Sequence, residues 1–191
     1  MIVRVHAVEP RSRANGPGTR FVVWLQGCTL GCAGCFNPAT HAPGGPGTPI
    51  GELLDRLGAA ARAGQVDGLT LSGGEPMQQA PAALELLLGA RRLGLSTLMF
   101  SGYTRAELSA HPLGPAVLAH LDVLIDGRYV AAERLGDGLR GSSNQQLHVL
   151  TARHRRADVE ATPTTEVRIA PDGTVTLTGV DPLKLRALRR P

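Results

Sequence analysis

Cys28, Cys32 and Cys35 are the only cysteines of the chain and stand in the run Cys28-Thr-Leu-Gly-Cys32-Ala-Gly-Cys35. Their count limits the chemistry they can do. A [4Fe-4S] cube has four irons and normally takes four thiolates. Three thiolates leave one iron with an open position, where another molecule can bind. An odd count argues against a disulfide framework, and no secretory leader is visible, so a reducing compartment is expected. The competing reading is a structural zinc site of the Cys₃His type, with His41 as fourth ligand. The cysteines alone leave both readings standing.

A second candidate is the run Ser72-Gly73-Gly74-Glu75-Pro76. Paired glycines let a backbone approach a ligand and adopt φ values closed to other residues. Glu75 offers a fixed carboxylate acceptor suited to an ammonium group, and Pro76 ends the preceding strand. A Gly-Gly turn on its own is as readily structural as functional. No Ser/His/Asp or HExxH arrangement is present, and of six histidines only His41 lies near the cysteines.

The elements around these runs alternate. Ile2 to Val8 reads as an opening strand. Phe21 to Gln26 is a short apolar run rich in β-branched and aromatic residues, as in a buried strand, and the cysteines follow it directly. Pro43 to Pro49 reads as a loop, and Thr48 is placed to cap a helix running to about Ala63, with Pro49 at its first position. Gly68 to Leu71 is a strand that ends in the Gly-Gly-Glu turn. A helix from Gln79 to Leu93 follows, with Leu84, Leu87 and Leu88 marking its apolar face. Leu95 to Phe100 is a strand ending in Ser101-Gly102-Tyr103, and Thr104 with Glu107 forms a capping box. Leu121 to Ile125 is a strand ending in Asp126-Gly127-Arg128, and Leu147 to Leu150 reads as another. This alternation predicts parallel βα units. The unusual residues all fall just after strands, at the carboxyl edge where α/β sheets bind ligands. Thr151 to Thr165 reads as a linker. Glu166 to Ala170 and Thr174 to Thr178 read as a hairpin around an Asp-Gly turn.

Composition sets outer bounds. With 191 residues, 42% hydrophobic and 19% charged, the chain suits a globular enzyme with a sizeable core. No apolar run approaches the ~20 residues of a membrane span, so no membrane association and a cytoplasmic location are expected. The net charge is +4, nearly all from arginine, with Lys184 the sole lysine. Arg153, Arg155 and Arg156 cluster, as do Arg186, Arg189 and Arg190. Aromatic residues are only 3% and offer no stacking platform, which argues against nucleic acid as a partner.

Taken together, the cysteine run and the Gly-Gly-Glu turn resemble the radical S-adenosylmethionine (SAM) superfamily. In that superfamily a CxxxCxxC loop after the first strand holds a [4Fe-4S] cluster. The methionine amino and carboxylate groups of SAM chelate the open iron, and a GGE turn holds the amino group. Gly34 departs from the pattern, since an aromatic residue is frequent before the third cysteine. Further stretches are similar to the activating proteins of anaerobic ribonucleotide reductase, which are glycyl-radical activases. These are Asn15 to Arg20, Gly34-Cys35-Phe36-Asn37-Pro38, Leu69 to Pro76, Ser101-Gly-Tyr103, Asp122 to Arg128 and Arg140 to Gln145. They cover about residues 10 to 150 in that family's order.

The resemblance implies roles residue by residue. Cys28, Cys32 and Cys35 would ligate the cluster, and Phe36 and Asn37 would lie along the adenine. Gly73, Gly74 and Glu75 would bind the methionyl end, with Ser101 near the methionine carboxylate or ribose. Asp126 and Arg128 would lie beside SAM, and Arg140, Ser142 and Asn144 would complete the pocket or face the partner. A 5′-deoxyadenosyl radical would take a hydrogen atom from a backbone glycine of the large reductase subunit. With no cysteines for a second cluster, an external one-electron donor such as flavodoxin or ferredoxin is implied. His41 stands where activases carry tryptophan, and the tail beyond Arg153 exceeds what small activases carry. The alternatives are a radical enzyme acting on another protein, a peptide or a small metabolite, and a non-catalytic zinc module. The fold implied is a partial (βα) barrel with a mainly parallel sheet, because 191 residues are few for a full barrel of ~250. Residues 1–150 would form the radical SAM domain and 151–191 a C-terminal extension bearing the hairpin.

Overall fold

The computed structural model describes residues 1–45, 47–169 and 171–180. Lys184 and the cluster of Arg186, Arg189 and Arg190 lie outside the described residues, as does the hairpin position Ala170.

The chain opens with β1 (Ile2–Ser12) and β2 (Arg20–Leu25), which carries the cysteine loop at its end; β3 (Gly47–Pro49) and α1 (Ile50–Arg62) follow. Next come β4 (Gly68–Gly73), α2 (Ala80–Arg92), β5 (Ser96–Ser101), α3 (Arg105–Ala110), α4 (Gly114–Ala119) and β6 (Val123–Asp126). The chain continues through β7 (Arg134–Asp137), β8 (Arg140–Ser142), β9 (Gln146–Val149), α5 (Arg156–Glu160), β10 (Glu166–Ile169) and β11 (Val175–Thr178).

Among the described residues, seven strands form one sheet in the order β3-β1-β2-β4-β5-β6-β9. The centre is parallel: β2 pairs with β4, β4 with β5 and β5 with β6. The edges are antiparallel, through β1 on β2, β3 on β1 and β9 on β6. The fold is therefore α/β with a mainly parallel central sheet. Two two-stranded pairs, β7–β8 and β10–β11, stand apart from it.

Parallel strands are buried on both faces, which explains why β2 reads as an unbroken apolar run. Its side chains divide by parity. Phe21, Val23 and Leu25 join Leu69, Leu71, Met99 and Leu124 in the main core beneath α1 and α2. Leu98, Val123 and Ile125 turn to the other face and pack with Leu139, Leu147 and Val159. Each fully buried leucine contributes about 2 kcal/mol. That second face is the one that carries the site.

Several elements differ from the sequence reading. Thr48 pairs with Val3 as part of β3, and α1 starts at Ile50 after Pro49 without a side-chain cap. The edge of β1 recruits Thr48, and no local signal specifies that pairing. On α2 the fully buried positions include Ala83, Leu86, Leu87 and Ala90, while Leu84 and Leu88 are half-buried. The spacing i, i+3, i+4, i+7 thus begins one residue earlier than the leucines suggest. Within the expected linker lies α5, where Arg155 and Asp158 bond each other and Val159 is fully buried. The last sheet strand, β9, runs antiparallel to β6. Thr104 and Glu107 do form a capping box on α3. No helix among the described residues is long and apolar enough to cross a membrane.

Candidate metal and cofactor site

The cysteine loop leaves β2 at Gln26 and returns beside it, closed by backbone bonds from Gly27 N to Thr40 O (2.8 Å) and Cys28 N to His41 O (3.1 Å). The Gln26 amide staples the loop inside by donating to the carbonyls of Ala39 (3.1 Å) and Ala42 (2.7 Å). Within the loop, Cys35 N donates to Cys32 O. All three thiols are half-buried. Burial pushes Cys28 and Cys35 above the usual cysteine range, against backbone N–H donors from Leu30 and Asn37 respectively. Such N–H···S bonds are also the ordinary means of setting a cluster's potential.

The Gly73-Gly74 turn presses on this loop. Gly74 N donates to Leu25 O (2.7 Å) and Glu75 N to Gly27 O (2.9 Å). A Cβ on Gly74 would overlap the Gly27 carbonyl, and one on Gly73 (φ +102) would overlap the Leu25 backbone. The glycines are therefore required by the approach of β4's end to the cysteine loop, a backbone contact within the chain that itself seats the loop. Asn37 adds a bond from its side chain to Gly73 O (3.4 Å).

Glu75 is 1% exposed. Its carboxylate accepts from Met77 N (2.9 Å), Ser101 Oγ (2.9 Å) and Gly102 N (2.7 Å), so it joins the ends of β4 and β5. A carboxylate has about four acceptor sites, and three donors leave one for a ligand. Burial pushes its pKa up to about 7, in spite of those hydrogen bonds.

These residues line one cavity of about 860 Å³, counting its open mouth. Cys28, Cys32 and Cys35 face it together with Phe36, Asn37, Gly73, Gly74, Glu75 and Ser101. Among the described residues, no three His, Cys, Asp or Glu side chains gather about a single ion position. Cys28, Cys32 and Cys35 line one cavity, and three thiolates on a common cavity are the ligand set of a cube with one iron left open.

Asp126, Arg128 and Asn144 are not among the lining residues; they bond to the segments beside Gly102 and Gly127, which are. Asp126 accepts from Arg105 N, and its carboxylate lies 3.1 Å from His148 Nε2. Arg128 donates to Gly102 O and Glu107, and its guanidinium lies 5.4 Å from the Tyr103 ring centre. Asn144 donates to Arg128 O (2.8 Å). Ser142 is buried and accepts from Val130 N, and Arg140 lines a separate cavity. From that stretch Gly141 and Gln145 reach the main cavity.

Other lining residues escaped the sequence reading. Trp24 faces the cavity because it alternates with Phe21, Val23 and Leu25, a parity signal that was available. Tyr129 packs edge-on against Phe36 at 5.3 Å. Gly179 and Val180 line the cavity from the far end of the chain, and nothing local announces them.

Comparison with known proteins agrees with this geometry. The family described as "4Fe-4S single cluster domain" matches residues 14–148. The anaerobic ribonucleoside-triphosphate reductase-activating protein of Vibrio cholerae is 34% identical over 154 residues, spanning 76% of this chain and 97% of that protein. Its counterpart in Escherichia coli is 35% identical over 156 residues, spanning 76% of this chain and 97% of that protein. The pyruvate formate-lyase-activating enzyme of Clostridium pasteurianum is 34% identical over 136 residues, 66% of this chain and 53% of that enzyme. With its cysteine loop, its seated Gly-Gly-Glu turn and these relatives, the chain belongs to the 4Fe-4S single cluster domain family, among the anaerobic ribonucleoside-triphosphate reductase-activating proteins.

Proposed function

We propose that this chain is a radical SAM enzyme that makes a glycyl radical on a partner enzyme of the anaerobic ribonucleoside-triphosphate reductase type. One observation carries the reading: three cysteine thiols and a buried carboxylate with a spare acceptor line the same cavity. Cys28, Cys32 and Cys35 would hold a [4Fe-4S] cluster with one iron left for SAM. When bound, this pair supplies a 5′-deoxyadenosyl radical by one-electron cleavage of the sulfonium. Glu75 accepts the methionyl ammonium on its remaining site, and its negative charge opposes the sulfonium's positive one. Ser101 orients Glu75 by donating to it. Phe36 and Asn37 hold the adenine side, with Tyr129 bracing the Phe36 ring. Arg128 and Asn144 hold the Gly102 and Gly127 segments beside the cavity, and Asp126 fixes the end of β6. The apolar residues Trp24, Leu30 and Phe100 on the wall exclude water from a reactive carbon radical.

The sheet is read as a partial (βα) barrel whose open side admits a glycine-bearing loop. An external one-electron donor reduces the cluster, and the oxidation-sensitive thiolates suit a cytoplasmic setting. Anaerobic reconstitution with iron and sulfide, followed by reduction and addition of SAM, tests the site. The expected result is a brown protein carrying about four irons that releases 5′-deoxyadenosine. A colourless protein holding one zinc would overturn it.

A further inference from the structure

The 4Fe-4S family match ends at residue 148, and the Vibrio cholerae relative, matched along 97% of its length, accounts for only 76% of this chain. Yet the chain returns to the site well beyond that point. Gly179 and Val180 line the cavity that holds the three cysteines and Glu75, and Val180 is 8% exposed.

The return is anchored. Glu166 Oε2 accepts from Ser12 Oγ (2.8 Å) and Arg13 N (3.0 Å), and Arg168 pairs with the buried Glu9 and donates to Arg11 O. One face of the β10–β11 pair is thereby fastened along the end of β1. The innermost anchor is Asn15, itself a cavity residue and 4% exposed. Its two amide hydrogens go to Ser12 Oγ and Thr178 Oγ1, both at 2.8 Å. Its backbone carbonyl accepts from Thr70 Oγ1 on β4 (2.8 Å). Asn15 thus ties the sheet floor to β11 two residues before Val180. At Gly179 (φ +119) any Cβ would overlap the Thr164 carbonyl, so the turn into the cavity is closed tightly.

We infer that residues 164–169 and 171–180 form a built wall of the cofactor cavity, with Val180 as the contact and Asn15 and Thr178 as positioning residues that hold it in place. Resting on the SAM reading above, the wall retains the adenosyl part of SAM and keeps solvent from it. It is a determinant of cofactor affinity lying outside the stretch that the family match covers.

Trp24, the only tryptophan of the chain, lines the same cavity and reports on the wall without any cofactor. Three full-length variants serve: Thr178→Val removes the hydroxyl that Asn15 bonds, Thr178→Ser keeps it, and Val180→Gly removes the wall side chain. In cluster-free protein, acrylamide quenching of Trp24 should rise about twofold in Thr178→Val and Val180→Gly and stay at the wild-type value in Thr178→Ser. In cluster-loaded protein the SAM dissociation constant should rise about threefold to tenfold in the first two, a loss of the size expected for one hydrogen bond or one buried contact, with iron content unchanged. Wild-type quenching or wild-type SAM affinity in both Thr178→Val and Val180→Gly overturns the wall. If the loaded wild type binds no SAM, the reading of the site fails instead, and the quenching of Trp24 still decides whether the wall exists.

Discussion

Glu75 is buried with three donors on its carboxylate, and among the described residues it forms no ion pair. Its pKa, raised from 4.5 to about 7, gives the site a pH dependence with a definite sign. The folded state holds this proton more tightly than the unfolded chain. The proton therefore favours the fold at low pH, and that contribution declines as pH rises from about 4.5 to about 7. A cationic ligand prefers the ionised form, so SAM binding should release a proton and tighten with rising pH. Calorimetric titration of cluster-loaded protein should give roughly tenfold stronger binding at pH 8 than at pH 6, levelling off above. A flat profile would mean that Glu75 never faces the ligand's charge. Gly74 makes a separate prediction. Gly74→Ala drives a methyl into the Gly27 carbonyl and should cost about 2 kcal/mol or more, seen as a lowered melting temperature and reduced iron uptake on reconstitution. The cysteines and the Gly-Gly-Glu turn were legible because ligand count and turn chemistry are local. The reason for the glycines was not. They serve the contact between two strand ends, which only the assembled sheet reveals.

Elements bring these residues together by ending at one sheet edge. β2, β4 and β5 deliver the cysteine loop, the Gly-Gly-Glu turn and Ser101. Their opposite ends are clamped by Arg20, a wholly buried guanidinium that donates to Thr70 Oγ1, Leu69 O and Ser96 Oγ across the three strands. Desolvation lowers its pKa to about 10, so it stays charged at neutral pH. Arg20→Ala would leave a cavity and several buried acceptors unpaired, at a cost of about 3–5 kcal/mol, measurable by denaturant unfolding. At α3, Thr104→Ala removes the cap on Glu107 N and should cost about 1 kcal/mol by the same measurement. The strands and long helices were readable from periodicity, and the α3 cap from its four-residue signature. Three features were not. Thr48 was drawn into β3 by the edge of β1, β9 took its direction from β6, and α5 is too short to show a period around its one buried residue, Val159.

At the scale of the molecule, one face of the sheet is covered by helices and the other holds the cavity. That division turns a buried parallel sheet into a platform for a cofactor. It was implicit in the parity of β2, where Trp24 alternates with Phe21, Val23 and Leu25. The closing of the cavity by Gly179 and Val180 had no counterpart in any local pattern, since Asn15 and Thr178 meet only through the fold. The radical chemistry and the partner class follow from the cluster, the cavity and the relatives together, and one experiment joins them. The reconstituted protein is reduced under anaerobic conditions and mixed with SAM and the large subunit of an anaerobic ribonucleotide reductase, and the mixture is followed by EPR. A glycyl radical signal on the reductase, formed in step with 5′-deoxyadenosine, is the predicted result. Release of 5′-deoxyadenosine with no glycyl radical would contradict the proposed activase function.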